Sequence, residues 1–210
     1  MDLIIGTMHI EALNNNTKIV WEKCAFLEGF YLAGGTALAL QIGHRTSVDL
    51  DFFSSNPIKK TLLSEVEKVF GTVTPIIKTK DELTIILDGV KVTFLHYPFS
   101  LVSPKIFNKI IPLASVRDIA SMKAYALGRR QSLKDYIDLY EIFSRKLFDL
   151  EGTITDAKNK YKGLFTDRLF LEQLLYIDDL EDEPIQWIRD VVSKEYMRDF
   201  FATIIKQIII

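Results

Sequence analysis

Cysteine is almost absent from this sequence: among 210 residues only Cys24 carries a thiol. A single cysteine excludes an internal disulfide and a zinc site built from several cysteines. Because Cys24 lies in the apolar stretch IVWEKCAFLEGF, we interpret it as a small buried hydrophobic residue. Proline is sparse as well, and no segment rich in serine, glycine and proline marks a linker between domains.

Long hydrophobic runs are also missing. No window approaches the ~18 apolar residues that a membrane helix requires, and the N-terminal residues MDLIIGTMHIEAL lack the basic region of a secretory signal. The C-terminal residues FFATIIKQIII are apolar but short, and Lys206 interrupts them, which predicts an element packed on the core or on a partner. We therefore expect a soluble, cytoplasmic protein that has no membrane partner.

Positive charge is not in excess. The chain has 26 lysine and arginine residues against 28 acidic ones, which gives a net charge of -2. Proteins that follow nucleic acid over many phosphates are usually basic, because lysine and arginine displace its counterions. A nucleic-acid partner would therefore have to be held by a local basic patch, or be only an end or a small piece.

The overall pattern indicates two regions of different character. Strand-like and helix-like segments alternate in the first half, whereas the second half consists of amphipathic helical patterns. We predict an α+β protein with an α/β core in residues 1–111 and a helical domain in residues 112–210.

Several local patterns predict individual elements. Residues 47–53 alternate polar and apolar side chains, which is the period of a strand. The segment LLSEVEKVF is amphipathic and helical. Asp88 and Gly89 separate two β-rich runs, which is the strongest short hairpin signal. Ser115 is a candidate helix N-cap, with Asp118 three residues later.

The first candidate for a binding site is the pair Gly34 and Gly35, which ends a strand-like run, with Thr36 opening the following helix. Glycine lets a backbone approach a ligand closely, and a helix N-terminus offers free N–H groups and a positive dipole end. Together these features favour an anion site suited to a triphosphate. Taken alone, such a pair is more often only a tight turn.

Asp49 and Asp51 are the sharper signal. Residues two apart in a strand point to one face, so their carboxylates would repel each other unless a cation lies between them. Such a pair suits Mg²⁺ in phosphoryl-type transfer. Ser47 shares that face and offers a hydroxyl to a phosphate or to the metal. The alternative is a solvent-exposed face of an edge strand. Leu50, Phe52 and Phe53 weaken this alternative, because they indicate a strand that is anchored in a core.

His44 and Arg45 lie in the turn that precedes these aspartates. Arg45 is suited to pair with a phosphate or to brace the aspartates. His44 is a possible third metal ligand, although a single turn histidine is more often simply exposed.

A second group of charged residues lies in the stretch MKAYALGRRQSLKDYIDLY. In this group Lys123 has the reach to offset triphosphate charge, and Asp135 can contact the nucleotide or position a base. Lys134 and Asp138 have the spacing of an i,i+4 ion pair on a helix. The alternative is a surface helix with internal ion pairs. The basic members are Lys123, Arg129, Arg130 and Lys134.

The segments GGTALAL, HRTSVDLDFF and MKAYALGRRQSLKDYIDLY, in this order, resemble the AbiEii/AbiGii-type toxin family of bacterial nucleotidyltransferases, within the DNA polymerase β-like superfamily. The resemblance covers roughly residues 20 to 145. It implies a polymerase β-like core, a mixed sheet with flanking helices, and transfer of a nucleotidyl group from an NTP with Mg²⁺ or Mn²⁺ as cofactor. It also implies an antitoxin partner and, for some members, modification of tRNA ends.

The same resemblance assigns roles to residues of this chain. It implies metal binding by Asp49 and Asp51 and a catalytic role for both, together with Lys123 and Asp135. It implies nucleotide binding by the glycine turn and the nearby polar residues. The resemblance implies Gly34, Gly35, Ser47 and Lys123, and our reading of the residues themselves adds Thr36 and Arg45 to the nucleotide-binding set.

One departure from the family pattern concerns a third carboxylate, which polymerase β-like enzymes commonly carry on a neighbouring strand. Thr93 stands where we expect that acid, and Asp88 falls in the predicted hairpin turn. Three hypotheses follow. The chain is an active enzyme that acts on an RNA, a protein or a small molecule; or it is a catalytically inactive NTP-binding module; or it is a partner-binding protein.

Overall fold

The structure, a computed structural model, describes residues 3–4, 8–130 and 132–209. The chain divides into two compact units. Unit 1 contains the residues up to 100 together with 104–114, and unit 2 contains 101–103 and the residues from 115 onward. The predicted domains, an α/β core in residues 1–111 and a helical domain in residues 112–210, remain predictions.

Unit 1 is an α/β structure. Within the described part of the chain its strands are β1 (Leu3–Ile4), β2 (Tyr31–Ala33), β3 (Leu50–Ser54), β4 (Pro75–Lys78), β5 (Glu82–Leu87), β6 (Val90–His96) and β7 (Ile106–Phe107). Its α-helices are α1 (Asn15–Glu22), α2 (Gly34–Ile42) and α3 (Leu62–Phe70). Strands β1 and β7 form a short parallel pair.

The main sheet has five strands in the order β2-β3-β6-β5-β4. Strands β3 and β6 run parallel, and the other neighbours run antiparallel, so the sheet is mixed as predicted. On one face Phe52 and Phe94 are buried and stacked, with ring centroids 5.4 Å apart. Asp51 and Thr93 are half-buried and belong to the opposite face, because side chains alternate along a strand.

The strand predicted over residues 47–53 is shorter in the structure, where β3 begins at Leu50. Ser47 makes an isolated bridge with Leu13, and its N–H donates to the carbonyl of Ala12 at 2.8 Å. The residues just before β3 are therefore held by the N-terminal segment rather than by the sheet. Alternating polarity indicates an extended backbone, but it does not show whether that backbone pairs with the N-terminal segment or with a strand of the sheet.

The predicted hairpin is confirmed. Strands β5 and β6 pair up to Leu87 and Val90, and Asp88 and Gly89 form the turn with φ of 49° and 80°. Positive φ at both central residues is the geometry that matches the twist of a hairpin.

The edge of β2 is partly covered by the chain that follows β7. The N–H of Leu32 donates to the carbonyl of Pro112, and the N–H of Ala114 donates to the carbonyl of Leu32, both at 2.8 Å. Residues 112–114 therefore belong structurally to unit 1 and lie beside the strand that leads into the glycine turn.

Unit 2 is helical, as predicted. Its α-helices within the described residues are α4 (Val116–Ala126), α5 (Leu133–Ser144), α6 (Leu150–Tyr161), α7 (Asp167–Leu174) and α8 (Lys194–Ile209). Ser115 caps α4: its hydroxyl accepts from the N–H of Asp118 at 3.0 Å and lies 2.9 Å from that residue's carboxylate. The apolar C-terminal segment forms α8, and its Phe201 and Ile205 are buried in this unit. None of the helices in the described part of the chain has the length and apolar character to cross a membrane.

Candidate active site

The glycine turn joins β2 directly to α2. Ala33 is the extended N-cap residue, and the helix begins at Gly34, two residues before the start that we predicted at Thr36. An alanine has no side-chain acceptor, so it does not cap the first N–H groups of this helix. Gly34 has a φ of 67°, which favours glycine because a Cβ is strained there.

The carboxylate of Asp51 lies against this turn. Ala33 is the partner of Asp51 across the β2–β3 pair, which brings the acid next to the following residue. A Cβ placed on Gly34 would lie 3.1 Å from Oδ2 of Asp51. The space between the helix start and this carboxylate is therefore one that any side chain at position 34 would fill.

Two hydroxyl groups tie the start of α2 to the segment before β3. The hydroxyls of Thr36 and Ser47 lie 2.7 Å apart, and both residues are buried. The hydroxyl of Thr36 also donates to the backbone carbonyl of Asp49. The structure thus places the Asp51 carboxylate beside Gly34, and Thr36 and Ser47 beside the backbone of Asp49. That these residues form one binding site remains a prediction.

The donor set fits Mg²⁺. Asp49 immediately precedes β3 and Asp51 lies in it, and both are half-buried. Mg²⁺ in proteins is commonly bound by one or two carboxylates, with water and substrate phosphates as the other ligands. Among the described residues, no group of three or more histidine, cysteine, aspartate or glutamate side chains is arranged to hold a metal ion by itself. The two aspartates supply carboxylates of the kind that such a site uses, and their binding of a metal remains a prediction.

The strand next to Asp51 presents a hydroxyl rather than an acid. In the parallel register Asp51 is opposite Thr93, and Thr93 is in turn opposite Thr84 of β5. An acid on that face comes from Glu82, two residues before Thr84, and its Oε1 accepts from the Thr84 hydroxyl at 2.7 Å. Our sequence interpretation did not single out Glu82. In the sequence, only its i,i+2 spacing with Thr84 indicated that Glu82 shares a face with Thr84. The pairing of β5 with β6 and of β6 with β3, which places it on the face of Asp51, joins residues far apart in sequence.

His44 and Arg45 are both buried, with 0% and 3% exposure. The expectation that His44 is an exposed turn residue is therefore wrong, because the turn lies inside unit 1. A guanidinium N–H of Arg45 donates to the carbonyl of Thr46 at 3.2 Å. Binding of a phosphate by Arg45 remains a prediction.

Part of the second group of charged residues forms a buried ion cluster inside unit 2. The ammonium of Lys123 lies 2.5 Å from Asp135 and 2.6 Å from Asp138, and all three side chains are at most 5% exposed. Arg130 completes the cluster, since its Nε and Nη2 both donate to Asp135 at 2.8 Å. Although burial would raise the pKa of Asp135, the charges and hydrogen bonds of Lys123 and Arg130 hold it below its usual range.

The predicted i,i+4 pair between Lys134 and Asp138 is wrong. Lys134 pairs instead with Glu183 at 3.4 Å, and Asp138 faces Lys123. The alternative of a surface helix is wrong too, because α5 is buried along most of its length. Because α5 is buried, Asp138 pairs with Lys123 of the neighbouring helix α4, and the spacing of residues along the sequence does not reveal such a contact. The roles of Lys123 and Asp135 in nucleotide binding and catalysis remain predictions.

Comparison with known proteins places these features in a family. Residues 21–110 match the family model described as "Nucleotidyl transferase AbiEii toxin, Type IV TA system". The chain is 34% identical over 182 residues to a protein of Aquifex aeolicus (strain VF5) named "Uncharacterized protein aq_aa25", covering 85% of this chain and 87% of that protein.

Solved structures share the fold. One is a candidate nucleotidyltransferase from H. pylori, with a TM-score of 0.56 and 18% identity over 90% of this chain and 89% of that one. Another is MenT4, a nucleotidyltransferase toxin of Mycobacterium tuberculosis H37Rv, with a TM-score of 0.52 and 15% identity over 94% and 87%. The matched stretch contains the glycine turn and both aspartates. The chain belongs to the AbiEii nucleotidyltransferase toxin family, a family described by its link to type IV toxin–antitoxin systems.

Proposed function

We propose that this protein is an active nucleotidyltransferase that moves a nucleoside monophosphate from an NTP to an acceptor hydroxyl, with a tRNA end as the leading acceptor and a protein as another. The observation that carries the proposal is the carboxylate of Asp51 against Gly34, at a helix start that Ala33 does not cap. Free N–H groups and a positive dipole end favour phosphate there, and an adjacent carboxylate favours its metal.

In this proposal each residue of the site has a separate role. Gly34, Gly35 and Thr36 hold the triphosphate at the start of α2, and Ser47 contributes a hydroxyl. Arg45 and Lys123 offset phosphate charge. Asp49 and Asp51 hold Mg²⁺ or Mn²⁺, which when bound orients the phosphates and stabilises developing negative charge.

The reaction itself joins the acceptor oxygen to the α-phosphorus and breaks the α–β phosphoanhydride bond. The acceptor loses its proton, and pyrophosphate leaves with the electrons of the broken bond. Asp135 is proposed to contact the nucleotide or to position the base that takes the proton. A cytoplasmic location and a cognate antitoxin belong to the same proposal.

The test is transfer of label from an α-labelled NTP to total tRNA. We expect the wild-type protein to label RNA in the presence of Mg²⁺ and Asp51→Asn to lose labelling. Asp88→Asn is the matched control, because Asp88 lies in the hairpin turn at a positive φ that asparagine tolerates. Equal labelling by wild type and Asp51→Asn would contradict the proposal.

A second candidate function is an inactive NTP-binding or partner-binding module, which the hydroxyl of Thr93 beside Asp51 favours. The NTP-binding module predicts Mg²⁺-dependent NTP binding in calorimetry without transfer to any acceptor in a cell lysate. Calorimetry that shows no NTP binding by the folded protein would rule out both the enzyme and the NTP-binding module.

A further inference from the structure

Unit 1 contains a half-open groove of about 510 Å³ between the segment that precedes α3 and the turn that joins β4 to β5. Strand β4 is three strands away from β3 in the sheet, which at about 4.8 Å per strand is roughly 14 Å. The groove is therefore separate from the glycine turn and Asp51. Its charged lining residues, here called the lysine groove, are Lys59, Lys60, Lys78 and Lys80.

All four lysines are exposed. Lys80 lies 3.9 Å from Asp81, with side-chain exposures of 88% and 50%. An exposed pair at that distance contributes little and leaves the ammonium open to other anions. In a chain of net charge -2, four lysines around one groove make a local basic patch. Because the chain is not basic overall, binding of nucleic acid requires a local basic patch of this kind.

We propose that the lysine groove binds the phosphodiester backbone of a nucleic acid strand. The cations that line the groove are lysines, which bind phosphates as point charges. Its apolar floor, Ile58, Leu63 and Leu83, is aliphatic and offers no ring for base stacking. Binding is therefore independent of sequence and dominated by charge.

The test is fluorescence anisotropy with labelled single strands of about 20 nucleotides, one RNA and one DNA, in a series of salt concentrations. The variant carries Lys59→Gln, Lys60→Gln, Lys78→Gln and Lys80→Gln. For single strands the slope of log affinity against log salt is about -0.7 per phosphate contact, so we expect it to flatten by up to about 3. We also expect the dissociation constant to rise about tenfold or more. The two probes show whether the strand is RNA, DNA or either.

The matched control removes the same charge elsewhere in unit 1, by glutamine at Lys18, Lys68, Lys91 and Lys109, all exposed and outside the groove. The control should bind like wild type. Equal weakening in both variants would overturn the proposal, as would unchanged affinity in the groove variant. Tighter binding of an acidic peptide than of either strand would overturn it too. No NTP is added, so the result is independent of the transfer reaction, and unchanged binding by Asp51→Asn shows this directly.

Discussion

At the scale of single residues, position 34 accepts a methyl group only if the Asp51 carboxylate shifts by a few tenths of an ångström. A Cβ there would meet the Asp51 carboxylate at 3.1 Å, and the φ of 67° strains any L-residue. We predict that Gly34→Ala lowers the free energy of unfolding by about 1–2 kcal/mol through the backbone. We also predict that it weakens binding of Mg²⁺-NTP, because the carboxylate must move. Urea unfolding and calorimetry measure the two effects.

Gly29 offers a matched control for this substitution. It has a φ of 82°, but nothing lies within 4 Å of the position that a Cβ would take. Gly29→Ala should therefore cost stability of a similar size and leave NTP affinity unchanged. If both variants lost affinity equally, general destabilisation rather than the contact with Asp51 would be the cause.

Asp135 gives the protein a predictable response to acid. Burial raises its pKa, but Lys123 and Arg130 lower it further, so the folded-state pKa lies below the ordinary 3.8. Its contribution to stability is therefore complete above pH 3.8 and is lost as the pH falls through the lower folded-state value. We predict that Asp135→Asn flattens the fall in unfolding free energy on acidification, by up to about 1.4 kcal/mol per pH unit.

The measurement is urea unfolding at a series of pH values from neutral to about 3. The control is Asp182→Asn, because Asp182 pairs with Lys194 at 2.6 Å but is itself 91% exposed. Water screens such a pair, so this variant should follow the wild-type curve closely. Parallel curves for wild type and Asp135→Asn would contradict the assigned role of the buried cluster.

At the scale of elements, the start of α4 depends on one hydroxyl. Ser115 accepts the N–H of Asp118 and also contacts its carboxylate, which in turn accepts the N–H of Val102 at 2.8 Å. We predict that Ser115→Ala lowers the free energy of unfolding by about 1 kcal/mol, with a range of about 0.5–2. Thr61 at the start of α3 makes no such cap bond, so Thr61→Ala should change stability by less.

Short sequence patterns predicted an element correctly where neighbouring residues alone determine its structure. The turn at Asp88 and Gly89 and the cap at Ser115 are examples, since backbone conformation and one hydrogen bond decide each. The start of β3 was predicted too early, because contacts of Ser47 with a distant segment decide it. The partner of Asp138 was predicted wrongly for the same reason, since Lys123 lies on another helix.

The candidate site follows the same rule. Sequence indicated Gly34 and Asp51 through residue type and spacing, and the strand register then brought them together. It did not reveal that His44 is buried or that Glu82 lies on the face of Thr93, because both depend on how distant strands and loops meet. The lysine groove was likewise invisible, since its lysines come from two separate segments.

At the scale of the whole molecule, the single cysteine is a reporter of unfolding. Cys24 is 1% exposed, its thiol donates to the carbonyl of Val20, and burial raises its pKa to about 12. We predict that a thiol reagent at mildly alkaline pH labels the native protein only as fast as unit 1 opens. Ser64→Cys, at an exposed position of α3, should label at once. Equally fast labelling of Cys24 in the native wild type would contradict its burial.

The two edges of the main sheet have a consequence for self-association. An open strand edge is a template on which another copy can add a strand. The segment around Leu113 obstructs the edge at β2. At β4, the exposed Ile76 and Ile77 lie between Pro75, which has no N–H to donate, and Lys78, whose charge repels a second copy. Lys78 thus protects the open edge of the sheet from adding a strand of another copy.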